Sequence, residues 1–250
     1  MNNIKVYVPV SGGKDSTACL LLALEFYDAD EIVGVHNNTG WDHPETYKYL
    51  EYLHNELGVT IENTIYKEAP TIPDVIRKAG KFPFGKGRFC TYYLKQTAIY
   101  RYFKSKGLYQ SGNVECWFGI RKNESNNRAK KYGGLSKDET YPYNLIYTTA
   151  PKSLSKHVHL RFPILDWSAD QCFEFLKEKG IKPNPLYAEG TNDRVGCYPC
   201  LLAGKAAQES MFSTTFGQQQ LQIIKDLEQK IGEKYVMYDT DQGSCENCKI

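Results

Sequence analysis

Val6-Tyr7-Val8-Pro9-Val10-Ser11-Gly12-Gly13-Lys14-Asp15-Ser16-Thr17 is the stretch that decides the fold. Ile4, Val6, Val8 and Val10 recur at period two, the spacing of a strand with one apolar face. The segment Asp15 to Tyr27, with Leu20-Leu21-Leu22-Ala23-Leu24 inside it, reads as a buried helix. Between them stand two glycines, which let the backbone approach an anion closely. The helix that follows offers unpaired N–H groups and the positive end of its dipole. Lys14 adds a point charge, and Ser11, Ser16 and Thr17 add hydroxyl donors. A plain glycine turn with a capped helix needs only one of these features, so their combination reads as a phosphate-binding loop. The spacing is not that of the Walker loop, which needs four residues between its glycine and its Gly-Lys.

Outward from this loop, strands and helices alternate. Strands are expected at Glu31 to Asn37, Val59 to Tyr66, Glu115 to Ile120 and His159 to Ile164. A helix is expected from Pro44 to Leu57 with Gly58 as its stop, in the Pro-start, Gly-stop order. Further helices are expected at Ile72 to Ala79, Thr91 to Lys106, Ser168 to Lys179 and Gln218 to Ile231, with an irregular loop over 183–200. This alternation predicts an α/β fold, a Rossmann-like parallel sheet with helices on both faces. Such sheets bind ligands at the carboxyl ends of their strands, where residues 11–16 lie. Residues 1–166 are expected to form the nucleotide-binding α/β domain, and 167–250 a small helical, cysteine-containing region of the same globular unit.

The chain has 250 residues, 41% hydrophobic and 24% charged, with a net charge of +2. That suits one large globular unit and says little about partners. No apolar run is long enough to span a membrane. The start of the chain carries no signal-peptide pattern, so a cytoplasmic protein is expected. The eight cysteines are then not expected to form a disulfide framework. Cys19, Cys116 and Cys172 fall in apolar patterns and read as core. Cys90, Cys197 with Cys200, and Cys245 with Cys248 are left for chemistry.

Several short motifs, taken in order, resemble one family. The loop resembles that of the PP-loop ATP pyrophosphatases, the adenine nucleotide alpha hydrolase superfamily. Asn38-Thr39-Gly40 with Pro44-Glu45-Thr46, and Gly119-Ile120-Arg121 with Glu124-Ser125 and Arg128, resemble elements of its phosphoadenylylsulfate (PAPS) reductase-like branch. So do Phe162-Pro163-Ile164-Leu165-Asp166-Trp167, Asn184-Pro185-Leu186-Tyr187 and Gly196-Cys197-Tyr198-Pro199-Cys200. One departure stands out: Asn38 occupies the place of the family's usual Asp, and Asp42 lies close enough in sequence to substitute.

The resemblance implies an enzyme that binds an adenine nucleotide through Ser11, Gly12, Gly13, Lys14, Asp15, Ser16, Thr17, Thr39, Gly40, Arg121 and Glu124. Lys14, Arg121, Arg128 and Cys245 are the candidate catalytic residues. Because Lys14 and both glycines are intact, the loop favours ATP with Mg2+ and adenylation of a substrate over a sulfonucleotide, in sulfur transfer of the kind performed by members that thiolate DNA. Reduction of adenylylsulfate or PAPS by a cysteine thiol is the alternative, and a nucleotide-binding subunit without chemistry of its own is a third. Cys90, Cys197 and Cys200, with Cys248 as a fourth, are candidate ligands of a [4Fe–4S] cluster. Zinc and a redox dithiol also fit the CxxC spacing. Residues 77–106 carry nine lysines and arginines and no Asp or Glu, with tyrosines between, and 121–137 add six against one Glu. Such patches suit a phosphate backbone with bases stacked on tyrosines, so DNA or tRNA is a candidate partner, alongside a sulfur-donor protein. An oligomer is compatible with the sequence.

Overall fold

A computed structural model describes residues 4–84, 87–188 and 194–236. Its described strands form one six-stranded sheet. β1 (Val6–Pro9) is central, followed by α1 (Lys14–Ala23), β2 (Ile32–Asn37), α2 (Pro44–Leu57), β3 (Thr60–Thr64) and α3 (Ile72–Ala79). A π-helical turn, Thr91–Thr97, runs into α4 (Ala98–Ser105). Then come β4 (Val114–Trp117), α5 (Asn126–Tyr132), β5 (Tyr141–Pro142), α6 (Tyr143–Ile146), β6 (Val158–Arg161), α7 (Ala169–Glu178), α8 (Lys205–Phe212) and α9 (Thr215–Ile231).

The strand order is β3-β2-β1-β4-β6-β5. Five strands run parallel, and β5 pairs antiparallel at the edge. The order reverses beside β1: β2 lies on one side and β4 on the other. That is where a doubly wound sheet opens a ligand crevice.

Period two decides which side chains go where. Val6, Val8 and Val10 enter a core with α1, α2 and α7, while Tyr7 enters the opposite core with α4 and β6. Ile4, expected on the valine face, packs against the second core instead. Cys19 and Cys172 are buried in the first core and Cys116 in the second. A third cluster joins Trp41 with α3, the π-helical turn, α8 and α9. α2 begins with Pro44 and ends on left-handed Gly58, as its sequence predicts. Ser168 caps α7 in a capping box with Gln171. No described helix is long and apolar enough to cross a membrane.

Candidate active site

The loop after β1 holds its shape by short bonds. Gly12 sits at φ +76°, a left-handed conformation that favours glycine. The Ser11 N–H donates to Ser16 Oγ at 3.1 Å, and Ser16 Oγ and Thr17 Oγ1 both donate to the Gly13 carbonyl at 3.0 Å. Gly13 is the N-cap of α1 and supplies no side-chain cap. The first amides of the helix therefore face the loop without a capping side chain of its own, the arrangement that suits an anion.

Two other motifs complete the loop from outside. Gly119, just past β4, passes so close to α1 that a Cβ there would lie 2.6 Å from the Asp15 carbonyl oxygen. That contact brings Arg121 in: its Nε donates to Asp15 Oδ1 at 2.8 Å and its Nη1 to Asn123 Oδ1 at 2.8 Å. Arg121 is 5% exposed, so its guanidinium is held in a fixed orientation. The second is the turn Pro185–Tyr187. Asn184 Nδ2 donates to the Gly12 carbonyl at 3.1 Å, and the Lys14 N–H donates to the Tyr187 hydroxyl at 2.9 Å. Asn184 and Tyr187 belong to a motif recognised in the sequence but are missing from the expected binding residues. The resemblance placed them in order along the chain, not against the loop.

The Lys14 side chain lies against two aromatic rings. It is buried, with its ammonium 5.5 Å from the Phe173 ring and 5.3 Å from the Tyr187 ring. Arg128 pairs with Glu124, which also receives Arg194 Nε at 3.1 Å. Glu124 therefore holds two arginines together beside the loop after β4, while Arg121 bonds to Asp15 on α1.

The crevice itself is lined by Pro9 from β1, Val10 and Ser11 just after it, Val35, His36 and Asn37 from β2, then Thr39, Asp42, Lys95, Gly196 and Cys197. Asn38 and Asp42 face different partners. Asn38 Oδ1 is occupied by the Gly40 N–H and the Tyr47 hydroxyl, so it shapes the turn. Asp42 is buried, lines the crevice, and accepts from Thr39 Oγ1 at 2.8 Å. Gly40, at φ +57°, faces α3: a Cβ there would meet Thr71 Cγ2 at 2.5 Å. Its role is packing, while Thr39 beside it reaches the crevice.

The CxxC segment docks onto the same turn. Asp42 and Cys197 form an antiparallel bridge, the Tyr198 N–H donates to the Trp41 carbonyl at 2.7 Å, and Trp41 Nε1 donates to the Pro199 carbonyl at 2.9 Å. Thr39 Oγ1 lies 3.7 Å from Cys197 Sγ. Burial pushes the Cys197 thiol up to about 12, against the opposing pull of Lys95, and pushes Cys90 upward as well. Cys197, with Cys200, Asp42 and Cys90 behind it, draws the Lys95 ammonium above its ordinary range against the opposing effect of burial. The sequence expected Cys90, Cys197 and Cys200 to hold a metal. They do gather, but no group of three His, Cys, Asp or Glu at metal-holding separation exists among the described residues. Burial favours the protonated thiols at Cys90 and Cys197, and the Lys95 ammonium beside them opposes it. Lys95 was missed because it sits in a basic stretch that reads as surface. Cys245 and Cys248 lie outside the described residues.

The basic stretches are also less free than their composition suggests. Arg77 pairs with Asp74, Arg101 with Glu68, Lys106 with Glu62 and Lys122 with Asp166. All four acids lie outside the stretches they neutralise.

Comparisons with known proteins bear on the family and the fold. An uncharacterised 37.8 kDa protein of Escherichia phage 186 is 29% identical over 82% of this chain and 70% of its own length. An uncharacterised protein of Methanocaldococcus jannaschii is 28% identical, and this chain spans only 36% of its length. A phosphoadenosine 5'-phosphosulfate reductase of Buchnera aphidicola is 25% identical over 72% of this chain and 64% of its own. Among solved structures, phosphoadenylyl-sulfate reductase from Candida auris shares the fold at a TM-score of 0.54 and 14% identity, covering 78% of this chain and 82% of that one. The model of the phosphoadenosine phosphosulfate reductase domain matches residues 5–203, and the chain belongs to that family.

Proposed function

We propose that the chain binds ATP with Mg2+ at the Ser11–Thr17 loop and transfers the adenylyl group to an acceptor, releasing pyrophosphate. The step would serve sulfur transfer or nucleic-acid modification. The observation that carries this reading is the intact loop at the carboxyl end of β1, backed by an α1 whose N-cap Gly13 supplies no side-chain cap and by a buried, fixed Arg121. The loop amides and hydroxyls would hold the pyrophosphate. Arg121 would hold the remaining anion in place, since oriented donors cost no reorganisation as charge develops. Lys14 would contribute once it leaves the two aromatic rings. Mg2+ needs only one or two carboxylates beside the phosphates, and Asp15 at the loop is suitably placed. When bound, Mg2+ would neutralise phosphate charge.

A [4Fe–4S] or zinc centre on Cys90, Cys197 and Cys200 has weaker support, because the described side chains do not close to metal-holding separations. No step of this reading runs through one. DNA or tRNA as the acceptor, and a sulfur-donor protein as partner, draw support from the tyrosine-interleaved basic stretches. The ion pairs described above reduce that support.

The test is product analysis. The purified protein is incubated with ATP and Mg2+, with and without single-stranded DNA or tRNA, and AMP and pyrophosphate are measured. It is also incubated with adenylylsulfate or PAPS and a thiol donor, and sulfite is measured. The second assay is warranted because the Buchnera relative is a phosphosulfate reductase by name. Sulfite without pyrophosphate would replace adenylation by sulfonucleotide reduction. Tight ATP binding without turnover under any condition would favour a nucleotide-binding subunit. Lys14→Ala should weaken ATP binding at least tenfold; unchanged affinity would remove Lys14 from the site.

A further inference from the structure

Segment 184–187 closes the loop with a contact that a ligand would otherwise make. The Tyr187 hydroxyl lies 2.9 Å from the amide nitrogen of Lys14, the first residue of α1, and the Val195 backbone hydrogen-bonds the same hydroxyl. Burial holds this phenol well above its ordinary value, so the oxygen is a neutral acceptor. The first amide of a helix is one of the orphan donors that a loop of this kind presents to an anion. Gly13 keeps the approach open: a Cβ there would lie 3.2 Å from the Tyr187 hydroxyl and 3.3 Å from the Val195 carbonyl oxygen. The same tyrosine ring, together with Phe173, covers the Lys14 ammonium. One side chain therefore occupies both the loop's first helical amide and its lysine.

We propose that Tyr187 is a latch. Its hydroxyl stands in for one phosphate oxygen at the Lys14 amide. Nucleotide binding exchanges the two, and the ring withdraws so that Lys14 can turn toward the phosphates. The latch rests on the loop being a phosphate site. It also explains how a lysine buried against aromatic rings can serve that site. Ligand binding must then break the tyrosine–amide bond first. Removing the hydroxyl should therefore destabilise the free protein while improving affinity, a pairing that a merely structural tyrosine does not produce.

Tyr187→Phe keeps the ring and deletes the hydroxyl. Dissociation constants for inorganic pyrophosphate and for ATP with Mg2+ are measured by calorimetry, and the melting temperature is measured without ligand. The expected result is a lower melting temperature with about fivefold tighter binding of both ligands, equivalent to about 1 kcal/mol. Unchanged or weaker binding overturns the latch; weaker binding would make the hydroxyl a ligand contact. A wild-type protein that binds neither ligand overturns the phosphate-site reading itself. Should the variant not fold, NMR of the wild type decides. Pyrophosphate must move the Lys14 amide and the Tyr187 ring resonances together, and a static Tyr187 ring overturns the latch.

Discussion

Lys95 shows how one residue changes the chemistry of a cluster. Desolvation disfavours the thiolate at Cys90 and Cys197, and Lys95 is the positive charge that works against it. Both are still raised by burial, with Lys95 opposing the rise. Replacing Lys95 with Met should raise both thiols further and slow their alkylation by iodoacetamide at pH 8.5 several-fold, because the thiolate is the reacting species. Cys200, which is exposed, should be labelled first in either protein and serves as the internal standard. Peptide mapping after timed labelling gives the rates, and equal rates at Cys197 in both proteins would show that the lysine does not act on it. Asp42 carries a related lesson. The resemblance leads one to expect an acid at position 38, where this chain has an amide, and a buried carboxylate four residues later lines the crevice. Sequence proximity raised this substitution, and the turn through Thr39 brings the Asp42 carboxylate to the crevice.

At the level of elements, the loop depends on a contact between two strand ends. Gly119 lets the segment after β4 lie against the start of α1, with the Asp15 carbonyl 2.6 Å from where a Cβ would be. Backbone cannot yield there as a flexible side chain would. Gly119→Ala should therefore cost about 1–3 kcal/mol, the range for overpacking, and should weaken nucleotide binding by displacing Arg121. Urea denaturation and ATP binding on the same variant check both parts; full stability with lost binding would mean that the contact serves the site alone. Elements with strong punctuation were legible in the sequence. The limits of α2 and α3 follow from Pro44, Gly58 and the Thr71–Asp74 capping box. Those without it were not. β5 has two residues and α6 four, too short for any period to show. α8 has Gly204 as its N-cap and so no side-chain cap. The π-helical turn at Thr91–Thr97 lies where the sequence predicts ordinary helix, because the pattern of apolar residues does not distinguish the two. The phosphate loop was legible because its donors are contiguous. Its closure by Asn184 and Tyr187 was not, because it joins residues far apart in the chain.

Across the whole molecule, the sheet divides the chain into cores rich in tyrosine. Of the nineteen tyrosines, Tyr7, Tyr143 and Tyr147 are buried in the core shared by α4, β4 and β6. Burial pushes Tyr7 up to about 12 and holds Tyr143 and Tyr147 well above the ordinary phenol value. It also pushes Tyr47 and the Cys172 thiol up to about 12. In each case the folded chain keeps a proton that the unfolded chain releases at its ordinary value, near 9 for thiols and 10 for phenols. Between those values and about 12 the native state binds more protons than the unfolded state, so stability falls as pH rises. The contribution is complete below about pH 9, and each fully engaged group then removes about 1.4 kcal/mol per pH unit. The urea midpoint should therefore be level from pH 7 to 8.5 and drop steeply by pH 10.5. Tyr7→Phe should make the drop shallower, since one of the retained protons is gone. A midpoint that holds to pH 11, or a slope unchanged by Tyr7→Phe, would mean that these phenols ionise in place without opening the core.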